Sequence, residues 1–370
     1  MVNRKYLLVV FLGIGLIFYS SAGAQSSTDN VPGESIIQLV TIEELEVDLT
    51  KGQICHLRFF LRCKAEISVS FVDAYDYQVR QLVKKRTYER GTVELEWDDK
   101  DDHGKFVPVG AYIPFITAQT EKKERYTYDP RETTGWRGVS VSDSGYEESK
   151  GWISFTLEQP AYVRLRIGSQ DGPLYATLMD WEYRYKGRHQ IPWNGRDPTG
   201  MLDLTKSYLI LCKAMSLPEN VTYIIDSPNG NVLSRERRGI RVEVDPERYR
   251  AYASLNSTRL ILGRGLSPRF KVEMDGSSSK DDIPVVSGVC KLNVVVDKTD
   301  VGWLANERFE SLLWIDGIYV AEDEEGYTPS SWRIDTTKYS NDLHVVTVMI
   351  QSFGDRIGTH SFVIKVRNNK

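Results

Sequence analysis

Apolar and polar residues alternate along much of this chain, and a period of two is typical of strands that bury one face and leave the other in water. In residues 161–168 the alternation sets Val163, Leu165 and Ile167 toward a core and Arg164 and Arg166 toward solvent. Helical periodicity is scarce, whereas residues that favour strands are abundant. The pattern therefore predicts an all-β protein.

The predicted strands form two similar sets. The first set is 54–61, 66–73, 79–83, 92–97 and 111–119, and the second is 152–157, 161–168, 175–178, 188–193 and 207–214. Because strands with one apolar face must pack on another sheet to remove that face from water, each set predicts a sandwich of Ig-like size. The mostly apolar stretch 35–40 predicts an added edge strand.

The two sets are related by a repeat. Residues 95–104 read LEWDDKDDHG and residues 191–200 read IPWNGRDPTG, and placing Trp97 on Trp193 without a gap aligns apolar, aromatic and glycine positions through both sets. Each tryptophan ends a strand and precedes a polar turn closed by glycine, as at a hairpin corner. The repeat predicts one sandwich duplicated, with both tryptophans buried, and it duplicates no catalytic pattern.

A third β unit follows an irregular connector. Asp316-Gly317 between two apolar runs predicts a hairpin with a two-residue turn of the primed type. The predicted fold class is all-β, with three tandem Ig-like β-sandwiches and an irregular segment before the last. The predicted divisions are 1–24 (signal peptide), 25–125 (first sandwich), 126–150 (linker or hairpin insertion), 151–217 (second sandwich, a repeat of the first), 218–284 (connector, with strands at 240–244 and 270–274 and a helix at 248–255) and 285–370 (third sandwich).

The motif Gly-x5-Trp-[Asp/Asn]-x-x-Asp-x-x-Gly, present in residues 91–104 and 187–200, resembles the Ig-like domain family of the flagellar hook-capping protein and of many exported bacterial proteins. The resemblance covers 54–119 and 151–214. The first copy departs from the family at Asp99, where glycine is usual. What the resemblance implies is the domain, not a flagellar function.

The third unit carries a second resemblance. Trp314-Ile315-Asp316-Gly317, then Trp332 and Asp335, then His344 before an alternating strand, are similar to a bacterial Ig-like family common in extracellular multidomain proteins. In that family these residues are structural, which implies the same role here.

The N-terminus predicts export. Arg4 and Lys5 precede the apolar run 6–19, and Ala22-Gly23-Ala24 is a small-residue cleavage site, as in a secretory signal peptide. The alternative is an uncleaved N-terminal anchor, although the apolar run is short for a spanning helix. The predicted location is the periplasm, the cell surface or the medium, with no membrane span after signal cleavage.

The net charge limits the classes of partner, and the cysteine positions limit the possible disulfides. Removing the signal peptide leaves 45 basic and 51 acidic residues, a formal charge of −6, which argues against nucleic acid as a partner. Cys55 and Cys212 fall at apolar strand positions and are predicted to be small core residues. A disulfide common to both repeats is excluded because their equivalents are not cysteine, while other pairings stay open.

Candidate catalytic and metal sites are few. The histidines show no paired spacing for zinc, Ser277-x-x-Lys280 lies in a polar run unsuited to hold a nucleophile, and no cofactor motif occurs, so neither an enzyme nor a cofactor is predicted. Asp98, Asp99, Asp101 and Asp102 gather four carboxylates in one turn, which permits calcium as a weak alternative to a solvated acidic turn.

The segment 120–150 is long for a connection in a compact domain. Its aromatic and arginine side chains are of the kinds that dominate protein interfaces. The predicted docking residues are Tyr126, Tyr128, Trp136, Arg137 and Tyr146. The alternative is a β extension that packs on its own sandwich.

The sequence therefore predicts a non-catalytic exported structural, assembly or adaptor subunit that binds other proteins of an extracytoplasmic complex. The alternative is an accessory protein that binds carbohydrate or cell wall through exposed tryptophan and tyrosine.

Overall fold

The computed structural model describes residues 35–74, 77–133, 137–170, 172–228, 267–275, 283–304, 308–352 and 356–369. In these ranges the regular structure is almost entirely β, in six sheets that make three sandwiches, which confirms the predicted fold class. None of the helices in these ranges is long and apolar enough to cross a membrane. The predicted signal peptide and the elements predicted at 240–244 and 248–255 lie outside the described residues.

The described residues divide into two compact units. One contains residues 35–138 and 215–228 and holds the first sandwich. The other contains residues 139–214 and 267–369 and holds the second and third sandwiches.

The first sandwich packs a three-stranded sheet on a larger one. Its strands are β1 (Ile37–Ile42), β2 (Glu46–Asp48), β3 (Cys55–Leu61), β4 (Ala65–Asp73), β5 (Gln78–Tyr88), β6 (Gly91–Trp97), β7 (Gly110–Thr120) and β8 (Arg125–Tyr128). The small sheet has the order β1-β3-β6, so β1 is the edge strand predicted near 35–40. In the large sheet β4 lies between β5 and β7, and β8 pairs with β7. Phe59, Ile67 and Phe71 are among the fully buried core residues.

The second sandwich repeats this plan. A short helix, α1 (Pro130–Thr133), precedes its strands, which are β9 (Arg137–Val139), β10 (Val141–Glu147), β11 (Trp152–Leu157), β12 (Ala161–Ser169), β13 (Leu174–Arg184), β14 (Gly187–Pro192) and β15 (Tyr208–Ser216). Its sheets have the orders β10-β11-β14 and β13-β12-β15-β9.

The two sandwiches share their strand register residue by residue. In the gapless alignment of Trp97 on Trp193, the pair Phe59↔Val93 corresponds to Phe155↔His189. All described β4–β5 partners likewise have β12–β13 counterparts, with register shifts at the same places. Since a bulge adds a residue at a defined point in a strand, shared bulges show that the repeat extends to backbone irregularities. The structure thus confirms the duplicated scaffold.

The two tryptophan corners have the same hydrogen bonds. Trp97 and Trp193 are buried, as predicted, and the indole N–H of each donates to the carbonyl three residues later, at 2.9 Å to Lys100 and 2.9 Å to Arg196. The residue two positions after each tryptophan has left-handed backbone, with φ 53° at Asp99 and 77° at Gly195. This conformation explains why glycine suits the position, and aspartate tolerates it better than most residues.

The third sandwich contains β17 (Phe270–Met274), β18 (Val285–Val286), β19 (Val289–Val296), helix α2 (Lys298–Leu304), β20 (Phe309–Ile315), β21 (Ile318–Asp323), β22 (Ser330–Asp335), β23 (Leu343–Ser352) and β24 (Arg356–Val366). β16 (Thr222–Asp226) precedes it in the chain. The two sheets of the third sandwich have the orders β17-β19-β22 and β18-β24-β23-β20-β21.

The hairpin predicted at Asp316-Gly317 is present, with φ 52° and 78° at its two turn residues, as a primed turn requires. Asp316 accepts hydrogen bonds from the Val345 backbone N–H at 2.8 Å and from the His344 ring at 2.6 Å. The role of His344 is therefore structural, as the resemblance implied.

The chain does not divide at the predicted boundaries. β8 and β10, which lie in the predicted linker 126–150, are strands of the first and second sandwiches respectively. β16, in the predicted connector 218–284, pairs with β7 and β2 of the first sandwich, and β17 belongs to the third. The physical reason is that a sheet edge is completed by whichever strand can reach it, and sequence distance does not reveal that strand.

The solvent exposure predicted for Arg164 and Arg166 is wrong, because both side chains are buried. Arg164 Nε donates to Asp180 at 3.1 Å, and its guanidinium lies 4.5 Å from the centre of the Trp181 ring. Asp180 also accepts the Ser267 backbone N–H at 2.8 Å, so the start of the third sandwich reaches this face of β12 and β13. The third sandwich therefore covers the face of β12 and β13 that an isolated second sandwich would expose to solvent.

Replacing the corner tryptophan should destabilise the second sandwich strongly. Trp193→Ala removes a buried indole and leaves a cavity, so we expect the free energy of unfolding to fall by about 3–5 kcal/mol in denaturant titration. Met201→Ala is the matched control, because Met201 lies just beyond the same turn with its side chain exposed. An equal loss in the two variants would contradict the assigned role of the corner.

Breaking the buried Arg164–Asp180 pair should also destabilise the second sandwich. Arg164→Met leaves the Asp180 carboxylate without this guanidinium, and we expect a loss of about 3–5 kcal/mol in the free energy of unfolding. The double variant Arg164→Met/Asp180→Asn should recover part of it, since the amide can still accept from Ser267 without a charge.

The control for this experiment is Arg188→Met, which breaks the more exposed pair of Arg188 with Glu147 at 2.8 Å. It should change stability by less than about 1 kcal/mol. No recovery in the double variant would show that the Asp180 charge is not what destabilises the single one.

Candidate functional site

Tyr126 and Tyr128, two of the predicted docking residues, lie on β8 and pack half-buried against the core of the first sandwich. The Tyr128 hydroxyl accepts a hydrogen bond from the Asn220 side chain at 3.1 Å, and burial raises the pKa of Tyr128 to about 12. β8 therefore extends its own sheet, as in the alternative to docking.

Tyr146 lies on β10 in the other unit. Its ring centre is 4.6 Å from that of Trp193 and 5.7 Å from that of Tyr208, which makes it part of the second corner. Tyr146 therefore belongs to a different compact unit from Tyr126 and Tyr128. Trp136 and the side chain of Arg137 lie outside the described residues.

The four carboxylates of the first corner do not converge on one point. Asp101 accepts the backbone N–H groups of His103 and Lys105, both at 2.9 Å, and so folds its own turn. Asp102 accepts the Gln81 backbone N–H at 2.9 Å, while Asp98 lies 3.7 Å from the Lys100 ammonium. Three of these side chains hold the corner together or pair with a cation, so they do not form a calcium cage.

Asp99 is the exception, and it corrects the expectation of a solvated turn. Its side chain is 0% exposed, and neither carboxylate oxygen has a hydrogen-bond partner. Burial, followed by repulsion from Asp98, raises the pKa of Asp99 to about 7. The nearby Cys55 backbone N–H lowers the pKa of Asp99 and so opposes this rise, although its position does not meet the geometry of a hydrogen bond. The sequence signal was available, since aspartate stands at the position where the second copy of the repeat has Gly195.

Glu43, Glu44 and His56 form a cluster that the sequence analysis missed. Their potential ligand atoms lie within 4.8 Å of one another, and they are the only such group of three in the described ranges. His56 Nδ1 is 2.8 Å from Glu44, and this hydrogen bond raises the pKa of His56. Glu43 pairs with Arg58 at 3.0 Å. Because a guanidinium beside the site opposes a metal cation, the arrangement is an ion-pair network on the small sheet.

The thiols are held in unreactive surroundings. Cys55, Cys63, Cys212 and Cys290 are all free, and Cys55 is fully buried as predicted. Burial raises the pKa of Cys55 and raises that of Cys212 to about 12. Since the thiolate is the nucleophile, neither of these two cysteines is activated at neutral pH.

The third sandwich presents an open apolar edge. β21 pairs with β20 and is the last strand of the five-stranded sheet within the described part of the chain. Three consecutive side chains on it are exposed, Ile318 at 71%, Tyr319 at 51% and Val320 at 38%. Four acidic residues follow, at positions 322–325. An edge strand with exposed apolar side chains is a surface on which another chain can pair.

The edge strand β5 of the first sandwich has the opposite character. Its exposed residues include Lys84, Lys85 and Arg86, and Lys85 has left-handed backbone with φ 45° at a register shift. Lysine on an edge strand is a feature that blocks pairing with another chain. β21 has neither lysine nor arginine, which distinguishes it from the protected β5 edge.

No family model matches the chain, and no curated protein matches it. Among solved structures, it is similar to fibronectin(III)-like modules of CbhA from Clostridium thermocellum, with 10% identity, coverage of 89% of this chain and 95% of that chain, and a TM-score of 0.21. It is also similar to a tetra-tandem repeat in the extending region of a large adhesion protein, with 11% identity, coverage of 90% of this chain and 74% of that chain, and a TM-score of 0.19.

A third similar structure is a Ca2+-stabilized adhesin of an ice-binding Antarctic bacterium, with 9% identity, coverage of 89% of this chain and 74% of that chain, and a TM-score of 0.18. Likenesses this weak identify neither a family nor a function. They also give no support to the resemblance with the hook-capping family.

The buried Asp99 should make the first sandwich less stable as pH rises. Its pKa is raised from 3.8 to about 7, so between about pH 4 and pH 7 the folded chain keeps a proton that the unfolded chain releases. Stability from this group is therefore lost as pH rises through that window. We expect Asp99→Asn to raise Tm, and the gap to the parent protein to widen from about pH 5 to about pH 8.

Glu94→Gln is the control for this pH series, because Glu94 is an exposed carboxylate on β6 that pairs with Arg58 at 3.0 Å. Its effect on Tm should be small throughout the series. A gap between Asp99→Asn and the parent that stays constant with pH would mean that the folded protein keeps Asp99 ionised.

Proposed function

We propose that this chain is a non-catalytic, exported structural, assembly or adaptor subunit that binds other proteins of an extracytoplasmic complex through its Ig-like sandwiches. The observation that carries the proposal is the open edge of the third sandwich. An exposed run of isoleucine, tyrosine and valine on an edge strand is costly to keep in water and is a liability for aggregation, unless another chain covers it.

The titratable groups that the described residues bring together support a structural role. His344 anchors the Asp316-Gly317 turn, and His56 joins the ion-pair network of Glu44. The His189 ring is 2.7 Å from the Tyr185 carbonyl, and burial lowers the pKa of His189. Each of these histidines is engaged by its own sandwich, which supports a scaffold without cofactor or catalysis.

Binding of carbohydrate or cell wall is the less favoured function. Such sites present flat aromatic faces to solvent. Tyr185, Tyr319 and Tyr327 are exposed, but the six tryptophans whose side chains are described are all buried or half-buried. They are Trp97, Trp152, Trp181, Trp193, Trp314 and Trp332. The predicted docking residues Trp136 and Arg137 remain proposed as an additional protein contact, whereas Tyr126 and Tyr128 pack in the first sandwich and Tyr146 in the second.

The proposal predicts a defined protein partner. The purified mature chain, immobilised and exposed to an extracytoplasmic fraction, should retain one protein in fixed stoichiometry, and the two purified proteins should then bind in calorimetry. On a glycan array the same chain should give no signal, because the proposed binding rests on pairing of main-chain groups at a strand edge.

A glycan signal without a protein partner would favour the alternative function. Turnover of generic ester, glycoside or peptide substrates, abolished by substitution of one side chain, would contradict the non-catalytic role.

A further inference from the structure

We propose that β21 is the docking strand of this protein, and that it pairs through its main chain with an extended segment of a partner protein that alternates apolar residues with lysine or arginine. This inference rests on the proposed function, because it names the surface and the chemistry of the partner.

The first argument is geometric. The β21 strand, Ile318–Asp323, pairs with β20 on one side, and the described residues place no strand on its other side. In an antiparallel strand, alternate residues direct their N–H and C=O groups to the two sides, so half of the main-chain groups of β21 face outward. A partner strand would continue the sheet and satisfy them.

The second argument concerns the side chains. Ile318, Tyr319 and Val320 remain exposed although they are next to a buried pair, Trp314 and Ile315, in β20. The β20–β21 register shifts at Val320, which lies between the partners of Trp314 and Leu313. An added strand would cover both faces of this apolar run, which the sandwich itself leaves in water.

The third argument is rigidity at both ends of the strand. Asp316 fixes the turn before β21 through Val345 and His344. After β21, the Gly326 backbone N–H donates to the Phe309 carbonyl at 2.8 Å. A side chain at position 326 would collide with the Phe309 ring, because a Cβ there would lie 2.3 Å from it. An edge held at both ends is ordered before binding and loses little conformational entropy on binding.

The fourth argument is charge, and it selects the partner. Residues 316–327 read DGIYVAEDEEGY, with no lysine, arginine or proline. Glu322, Glu324 and Glu325 are exposed. A segment with lysine or arginine opposite these carboxylates gains favourable pairs across the strands, whereas an acidic segment is repelled.

The same charges disfavour a second copy of this chain. If two β21 strands paired antiparallel over their whole length, Ile318 would face Asp323 and Tyr319 would face Glu322. Two of the three exposed apolar residues would then each oppose a carboxylate, so self-pairing would bury charge against apolar surface. A basic partner removes this conflict.

The test uses the full mature chain and a short fluorescent peptide in which valine alternates with lysine, with a peptide of valine and glutamate for comparison. Anisotropy should show binding of the lysine peptide only. Hydrogen–deuterium exchange should slow at those amides between 318 and 323 that do not donate to β20, because pairing with an added strand protects only the outward-facing amides.

Two variants separate the apolar and charged contributions. Val320→Lys and Glu322→Lys/Glu324→Lys should each weaken peptide binding by about tenfold or more, with Tm nearly unchanged because the altered side chains are exposed. Val289→Lys is the matched control, since Val289 is exposed but lies on β19, between two other strands. It should bind as the parent does.

Several outcomes would overturn the inference. Binding of the lysine peptide without protection of β21 would be plain charge attraction, and equal binding by the variants would place the site elsewhere. A dimer in sedimentation that Val320→Lys dissociates would make a second copy the occupant.

The inference and the proposed function fail in different ways. If the purified partner binds the two β21 variants as well as the parent, the function holds and this docking strand is wrong. If the peptide protects β21 but no protein partner exists, the strand is open and the proposed function is wrong.

Discussion

The hydrogen bond from a buried indole to the carbonyl three residues later is the interaction on which both repeated sandwiches depend. In each one it closes the corner where a strand of the small sheet leaves the core, at 2.9 Å to Lys100 and to Arg196. The following aspartate, Asp101 or Asp197, then accepts backbone N–H groups of its own turn. Because the tryptophan also fills the core, the corner couples the turn to the packing of both sheets.

In the first corner, the same geometry leaves a carboxylate buried. Where the second copy has Gly195, the first has Asp99, whose left-handed backbone is tolerable for aspartate but whose side chain has no hydrogen-bond partner. β16 lies beside this corner, since the Thr222 side chain donates to the Glu44 carbonyl and Ser227 to that of Val107. A returning segment of chain therefore helps to enclose a group that an isolated first sandwich would leave nearer to water.

The edge strands of the sheets differ in how readily another chain could pair with them. The β5 edge is charged, with Lys84 and Lys85 exposed. β21 is held rigidly, apolar at its start and acidic at its end. This contrast within one chain supports a protein-binding role, because the lysine that protects the β5 edge is missing from β21.

The sequence by itself determined the all-β class, most strand positions, the repeat with its buried tryptophans, and the hairpin at Asp316-Gly317. These features follow from local periodicity, turn chemistry and internal comparison, all of which are written in neighbouring residues. Only the tertiary structure decided which faces and edges are covered. Arg164 has the alternation of a solvent-facing residue and is buried against Asp180 and Trp181, while β16 completes a sheet far back in the chain. A period of two separates the faces of a strand, but burial of the second face depends on what packs there, and local pattern carries no record of that contact.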